Sequence, residues 1–164
     1  MNHYTIPESL RQVIDTWIAK YPEDQKRSAV VAALMIIQEE NGGYLTEAHM
    51  NAVAEYLEQS PIVVYELATF YDMFELAPIG KHKIGICTNL SCKLMGADKI
   101  VDYLQKKLGV NLGETTVDGK WTLRECECLA ACGVGPVCQI DNKKYEGNLT
   151  PERVDEILKS LSES

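Results

Sequence analysis

Lys83-Ile-Gly-Ile-Cys-Thr-Asn-Leu-Ser-Cys92 reads as a strand that runs straight into a pair of cysteines. Ile84 and Ile86 recur at the two-residue period of an extended chain, which predicts a strand over Lys83–Cys87 with both isoleucines on one face. Cys87 closes the strand and Cys92 follows five residues later in a loop. A second pair, Cys128-Leu-Ala-Ala-Cys132, follows another predicted strand, Lys120–Glu125. If both loops leave the same edge of one sheet, four thiols converge on a single site.

Outward from this stretch the pattern is mixed. Asp118 and Gly119 predict a hairpin turn between Thr115–Val117 and Lys120–Glu125, and Asp141 with Asn142 predicts another between Val137–Ile140 and Tyr145. A helix from Ala97 to Leu108 is closed by Gly109, and Thr150-Pro-Glu152 opens a last helix with Val154, Ile157, Leu158 and Leu161 inward. This order of strand, helix, strand, hairpin and helix predicts a small α/β sandwich over residues 79–164.

Residues 1–78 read differently. Leu10, Val13, Ile14, Trp17, Ile18 and Tyr21 recur at helical spacing between Pro7 and Tyr21. A second helix is predicted from Gln25 to Glu40, stopped by Asn41-Gly-Gly43. Thr46 opens a third, with Met50, Val53, Ala54 and Leu57 inward, and Ser60-Pro61 starts a fourth through Tyr65 and Phe70. The first half is therefore expected to be a small helical bundle, and the chain an α+β protein of two parts. Met35, Met50, Trp17 and the aromatics from Tyr65 to Phe74 are expected to be packing residues.

A chain of 164 residues is long enough to bury a core without staples. Met1–Lys20 has no apolar stretch of signal-peptide length, which predicts a cytoplasmic protein. In that reducing compartment the six cysteines point to metal or thiol chemistry rather than to a disulfide framework. No apolar run reaches the ~20 residues of a membrane span. A net charge of −8 argues against a nucleic-acid partner. The imbalance lies wholly in residues 1–80, with 4 basic against 12 acidic side chains, whereas residues 81–164 hold 12 of each. That asymmetry suggests that the first part faces a basic partner; a solvated acidic surface explains it as well.

Four thiolates meet the need of a [2Fe–2S] rhomb, two per iron, and leave about −2 formal charge on the oxidised cluster for backbone N–H groups to offset. Gly133 and Gly135 would allow close backbone approach there. Four cysteines also suit structural zinc, and spacing alone leaves both metals open. No Cys-x-x-Cys occurs for a thioredoxin-like redox pair. A Rieske centre would need two histidines, but His3, His49 and His82 lie outside the cysteine loops and read as surface residues. Gly133-Val-Gly135 is too short for a dinucleotide loop. The carboxylates of Glu39, Glu40, Glu125 and Glu127 have no partner that suggests acid–base work. Cys138, in an apolar strand, reads as a small buried hydrophobe.

With these motifs placed, the chain resembles the 24 kDa-type subunits of respiratory complex I, the E-type subunits of the bacterial NADH:quinone oxidoreductases. The resemblance rests on Ala68-Thr-Phe-Tyr-Asp-Met-Phe74, Cys87-x4-Cys92-x-Leu94-x-Gly96, Gly113-Glu-Thr-Thr-Val-Asp-Gly119 and Cys128-Leu-Ala-Ala-Cys132-x3-Pro136. It implies a helical amino-terminal region for partner docking, followed by a thioredoxin-like α/β [2Fe–2S] ferredoxin domain. It further implies that Cys87, Cys92, Cys128 and Cys132 hold one [2Fe–2S] cluster, raising iron–sulfur over zinc. The implied partner is a flavin-carrying, NADH-binding subunit that holds the FMN and NADH, so this chain is not catalytic in isolation. The complex would place it on the cytoplasmic side of the inner membrane, peripherally and without direct insertion. The same cysteine pattern occurs in small subunits of NAD-linked formate dehydrogenases and soluble hydrogenases. One departure is Ala130, where the family usually has glycine; the added methyl group is expected to need only a local adjustment.

Overall fold

The structure, a computed structural model, describes residues 3–163. It divides into two compact units, Met1–Pro78 and Ile79–Ser164.

The first unit holds α1 (Glu8–Ile18), α2 (Val30–Glu40), α3 (Glu47–Tyr56) and α4 (Pro61–Phe70). α1 starts after Pro7 and stops earlier than the apolar spacing predicts. Pro22 pushes Tyr21 away from the α region, and the chain leaves through Lys20 N–H to Trp17 and Tyr21 N–H to Ile18 carbonyls. The predicted second helix begins as a 3-10 turn, Lys26–Ala29, because no side chain caps its first N–H groups and Ser28 N–H bonds back to the Gln25 carbonyl instead. α2 ends at Asn41-Gly-Gly43, with Gly43 N–H returning to the Gln38 carbonyl.

α3 carries a capping box in which His49 replaces the usual Glu or Gln. Its backbone N–H donates to Thr46 Oγ1 at 3.3 Å, and its Nδ1 accepts the Thr46 N–H at 3.2 Å. His49 is thereby buried, with Tyr4 packed edge-on at 4.3 Å, and is not the surface residue that the sequence suggests. The core between the helices is Ile14, Leu34, Ile37, Leu45, Val53, Leu57 and Val64. Gln38 is buried with both ends satisfied, donating to the Met73 carbonyl and accepting from Glu75 N–H.

Met50 and Phe74 pack into this core, but Trp17, Met35, Phe70 and Tyr71 stand exposed, against expectation. Four short helices bury one stripe each, and the apolar residues beyond that stripe have nothing in the unit to cover them.

The second unit is a four-stranded sheet in the order β2-β1-β3-β4, built from β1 (His82–Cys87), β2 (Trp121–Cys126), β3 (Cys138–Ile140) and β4 (Lys144–Glu146). β1 is central and buried along its whole length. It pairs in parallel with β2 from His82↔Trp121 to Cys87↔Cys126, and antiparallel with β3. The β1-to-β2 crossover carries α5 (Leu90–Leu94) and α6 (Ala97–Leu108). With α7 (Pro151–Ser162), whose Thr150 cap accepts Arg153 N–H, α6 covers Ile84, Ile86, Trp121, Leu123 and Ile140.

The Asp118-Gly119 turn forms, with Asp118 Oδ1 accepting from Thr116 and Lys120. Its first arm forms no full strand: it makes one bridge, Thr115↔Thr122, with Thr116 N–H donating to the Trp121 carbonyl and Leu123 N–H to the Glu114 carbonyl on the edge of β2 away from β1. The β3–β4 hairpin turns through Asp141 and Asn142, both left-handed at φ 52° and 57°, the signature of the primed turns that match strand twist. His82 is buried at the start of β1, with Nδ1 2.9 Å from Asp141, so it too is a structural rather than a surface histidine. His3 is exposed.

Candidate functional site

Parallel pairing decides where the cysteines go. In parallel strands both C-terminal ends lie at one edge of the sheet, so the loops that follow Cys87 and Cys126 leave side by side. Three bonds tie the first exit to its neighbours, two of them to the end of β2 and one to the far end of the second cysteine loop. Cys87 N–H donates to the Val137 carbonyl, Thr88 N–H to the Cys126 carbonyl, and the Thr88 hydroxyl to Glu125 at 2.6 Å.

None of the six cysteines is joined in a disulfide. Cys92 is placed in α5, not in a loop, since the chain turns helical immediately after Asn89. Cys87 and Cys92 are buried with Ala97 and Val137, with Leu129 and Ala131 of the second loop packed against them; Cys128 and Cys132 are exposed. Two of the four thiols are thus buried together and two face solvent, Cys132 being close enough to act on Cys92. Among the described residues no three His, Cys, Asp or Glu side chains gather as a single-ion site. A [2Fe–2S] rhomb asks for only two thiolates on each iron.

The sulfurs meet backbone N–H groups that sequence reasoning misses. Burial pushes the Cys87 thiol up, but the N–H groups of Asn89 and Leu129 and the Cys92 thiol outweigh it and hold Cys87 below the ordinary thiol range. Leu129 lies in the second cysteine loop, so that contact joins the two loops at a sulfur. Burial raises Cys92, as do the neighbouring Cys87 and the charge of Cys132, against an N–H from Val137. Cys87 is thus the more acidic thiol of the pair, and the thiolate is the form that ligates metal. Nothing in residue type announces such donors, because they belong to the backbone.

Gly135 is a true close approach: a β-carbon there would lie 3.0 Å from Met95 Sδ and 3.4 Å from Cys92 Sγ. A β-carbon at Gly133 would meet no protein atom within 4 Å. Ala130 sits at φ 52°, with its N–H 3.4 Å from Cys128 Sγ. A left-handed backbone explains why glycine is usual at this position in the family that the chain resembles; the methyl group meets a conformational constraint rather than crowding.

Two further thiols stand apart. Cys138 lies in the sheet core, where burial, followed by the charges of Glu146 and Cys126, pushes it up to about 12, so it stays a neutral packing group. Cys126 shares its register position with Cys87, and its Sγ fills the space over Gly85, 2.6 Å from where a β-carbon would be. The free thiols, the N–H groups aimed at them and the closeness of the two loops suit an iron–sulfur cluster. No described helix is long and apolar enough to cross a membrane.

Comparison with known proteins agrees with this chemistry. The family described as thioredoxin-like [2Fe–2S] ferredoxin matches residues 14–162. The NADH-quinone oxidoreductase E subunit of Rickettsia felis is 41% identical over 160 residues, which is 98% of this chain and 95% of the relative. The E 2 subunit of NADH-quinone oxidoreductase from Rhizobium meliloti is 42% identical over 153 residues, 93% of this chain and 89% of the relative. Among solved structures, an NAD+-reducing [NiFe]-hydrogenase in the air-oxidised state aligns with a TM-score of 0.69 at 17% identity, over 87% of this chain and 24% of that one. That likeness is one of fold.

Proposed function

The chain belongs to the thioredoxin-like [2Fe–2S] ferredoxin family, and from that premise we propose that it is the one-electron carrier subunit of an NADH:quinone oxidoreductase. In this reading Cys87, Cys92, Cys128 and Cys132 hold the cluster, which when bound takes up and releases one electron at a time. The observation that carries it is the parallel register ending at Cys87↔Cys126, which sends both cysteine loops from one sheet edge and brings Leu129 N–H to the Cys87 sulfur.

The chain's own residues provide the setting. Asn89, Leu129 and Val137 offer N–H groups to sulfurs that would bear negative charge as cluster ligands. Val137, Ala97 and Leu129 exclude water from the buried pair. Gly135 keeps the backbone within reach of Cys92.

The electron donor is a partner subunit that carries FMN and binds NADH, and the assembly lies on the cytoplasmic side of the inner membrane. The near full-length relatives, both NADH-quinone oxidoreductase subunits by name, favour this assembly over a hydrogenase or formate dehydrogenase. The helical unit, whose acidic residues outnumber its basic ones three to one, suits a basic face on the partner and would steer association.

Iron and sulfide analysis tests the cluster: two of each per chain are expected, with a one-electron paramagnetic signal after dithionite. Stoichiometric zinc without sulfide in anaerobically purified protein would sink the assignment. NADH should bleach the chain only when the flavoprotein is added; fast bleaching of the pure, flavin-free chain would place a nucleotide site on it.

A further inference from the structure

The second cysteine loop carries part of the cover over the first pair of thiols. From Cys128 to Cys132 exposure alternates: Cys128, Ala130 and Cys132 are exposed, whereas Leu129 and Ala131 are partly buried and pack on Cys87, Cys92, Ala97 and Val137. One short segment thus presents two thiols to solvent and two apolar side chains to the buried thiols. Cys87 and Cys92 are only 3% and 1% exposed. The rest of their cover is fixed, since Ala97 opens α6 and the Val137 carbonyl takes the Cys87 N–H.

The loop is pinned at its two ends. Thr88 N–H holds the Cys126 carbonyl, and the N–H groups of Asn148 and Leu149 hold the carbonyls of Val134 and Pro136. Between these pins, among the described residues, no backbone–backbone hydrogen bond joins residues 127–133 to another segment; the loop's own are Val134 N–H to Ala131 and Gly135 N–H to Cys132. Leu129 N–H reaches the Cys87 sulfur. That bond and two modest apolar side chains hold the middle of the loop down. A stretch with few buried apolar contacts and little backbone pairing opens locally at low free-energy cost.

We infer that the second loop, on the proposed reading of the four cysteines as cluster ligands, is a loading strap: Cys128 and Cys132 take the incoming cluster first, and Leu129 and Ala131 then lift to admit Cys87 and Cys92. The order follows from access. Ligand exchange needs the incoming sulfur in contact with iron, and only the exposed pair can meet a cluster that arrives from solvent on another carrier. Each exchange balances: a cysteine sulfur bonds iron, a carrier thiolate leaves that iron, and the cysteine's proton passes to the departing thiolate. No electron changes hands. The class of reaction that supplies this chain is therefore thiolate exchange from a thiolate-held cluster, followed by a unimolecular step that waits on the strap.

The test uses the full chain, freed of metal by a chelator under anaerobic reducing conditions, with a [2Fe–2S] complex of glutathione as the probe. Iodoacetate pulses read by peptide mass mapping should label Cys128 and Cys132 at least about tenfold faster than Cys87 and Cys92. Leu129→Ala should speed labelling of Cys87 and Cys92 about three- to tenfold and leave Cys128 and Cys132 near the wild-type rate. On mixing with the probe, visible circular dichroism of the wild type should show a first phase proportional to probe concentration and a second independent of it. Leu129→Ala should quicken the second phase alone. Cys87→Ala with Cys92→Ala should keep the first phase and lose the second, whereas Cys128→Ala with Cys132→Ala should slow the first at least about tenfold. Equal labelling of the four thiols, a single phase in the wild type, an unmoved second phase in Leu129→Ala, or a first phase that survives loss of Cys128 and Cys132 overturns the inference. In each case a wild-type chain that still loads two irons and two sulfides leaves the proposed function intact. A wild-type chain that takes zinc and no cluster overturns both.

Discussion

Replacing Ala130 by glycine should stabilise the second unit. Ala130 holds φ 52° on an exposed loop, and an L-residue in the left-handed region costs about 1–2 kcal/mol. Glycine removes that cost but gives the unfolded chain roughly 0.5–1 kcal/mol of extra conformational freedom. The net gain is about 0.5–1 kcal/mol, since no packing is lost at an exposed methyl. For a unit of this size that is a rise of about 2–8 °C in Tm. Valine is the counter-test: its branched β-carbon is a poorer fit to the left-handed region than alanine, so Ala130→Val should lose at least ~1 kcal/mol. Calorimetry on the cluster-loaded chain, with the rate of visible bleaching at fixed temperature, reads both changes. The order glycine above alanine above valine is expected in both readouts. Valine at or above alanine, or a destabilising glycine, would refute the conformational account.

Three other outcomes can be checked. Cys126→Ala and Cys138→Ala should each keep a full cluster, whereas alanine at Cys87, Cys92, Cys128 or Cys132 should lose or severely destabilise it; iron content and the visible spectrum read together decide, and a Cys126→Ala protein without iron beside an intact Cys128→Ala would reverse the assignment. Gly85→Ala should cost about 1–3 kcal/mol, since its β-carbon would meet Cys126 Sγ at 2.6 Å; adding Cys126→Ala should recover most of this in urea melts, and an unrelieved double variant would place the clash elsewhere. Burial holds His49 below the ordinary imidazole value of about 6.5, so the unfolded chain binds more protons as pH falls below that value. The contribution of His49 is therefore complete above about pH 6.5 and is lost as pH drops through the folded value; His49→Gln should flatten the dependence of urea midpoint on pH between about 7 and 5, and an unchanged slope counts against it.

The strands, the hairpin at Asp141-Asn142 and the capping of the last helix are legible in the sequence because each depends on near neighbours. The four cysteines proposed as ligands stand out in the sequence by their paired spacing, but their surroundings do not. The N–H groups of Asn89, Leu129 and Val137 carry no side-chain signature, and their aim depends on how two distant loops settle. The helical setting of Cys92 on α5 stays hidden because a five-residue helix is too short to show a period. His49 and His82 look like surface residues until their partners are known, an uncommon capping box with Thr46 for one and Asp141, far along the chain, for the other. Trp17 and Phe70 show the opposite error: apolar residues outnumber the core positions of a small unit, and which ones remain outside is settled by packing.

The strand order β2-β1-β3-β4 also has a consequence for the order of events at synthesis. Residues 82–87 cannot meet residues 121–126 until the whole crossover, with α5 and α6, has emerged from the ribosome and been closed into a loop. Such non-local parallel pairing is the slow part of folding, while helices with short connections such as α1 to α4 form early from the amino-terminal end. The two cysteine loops become neighbours only when that pairing is complete. A nascent chain therefore exposes separate thiol pairs until that pairing forms, and ligation by all four thiols would follow it.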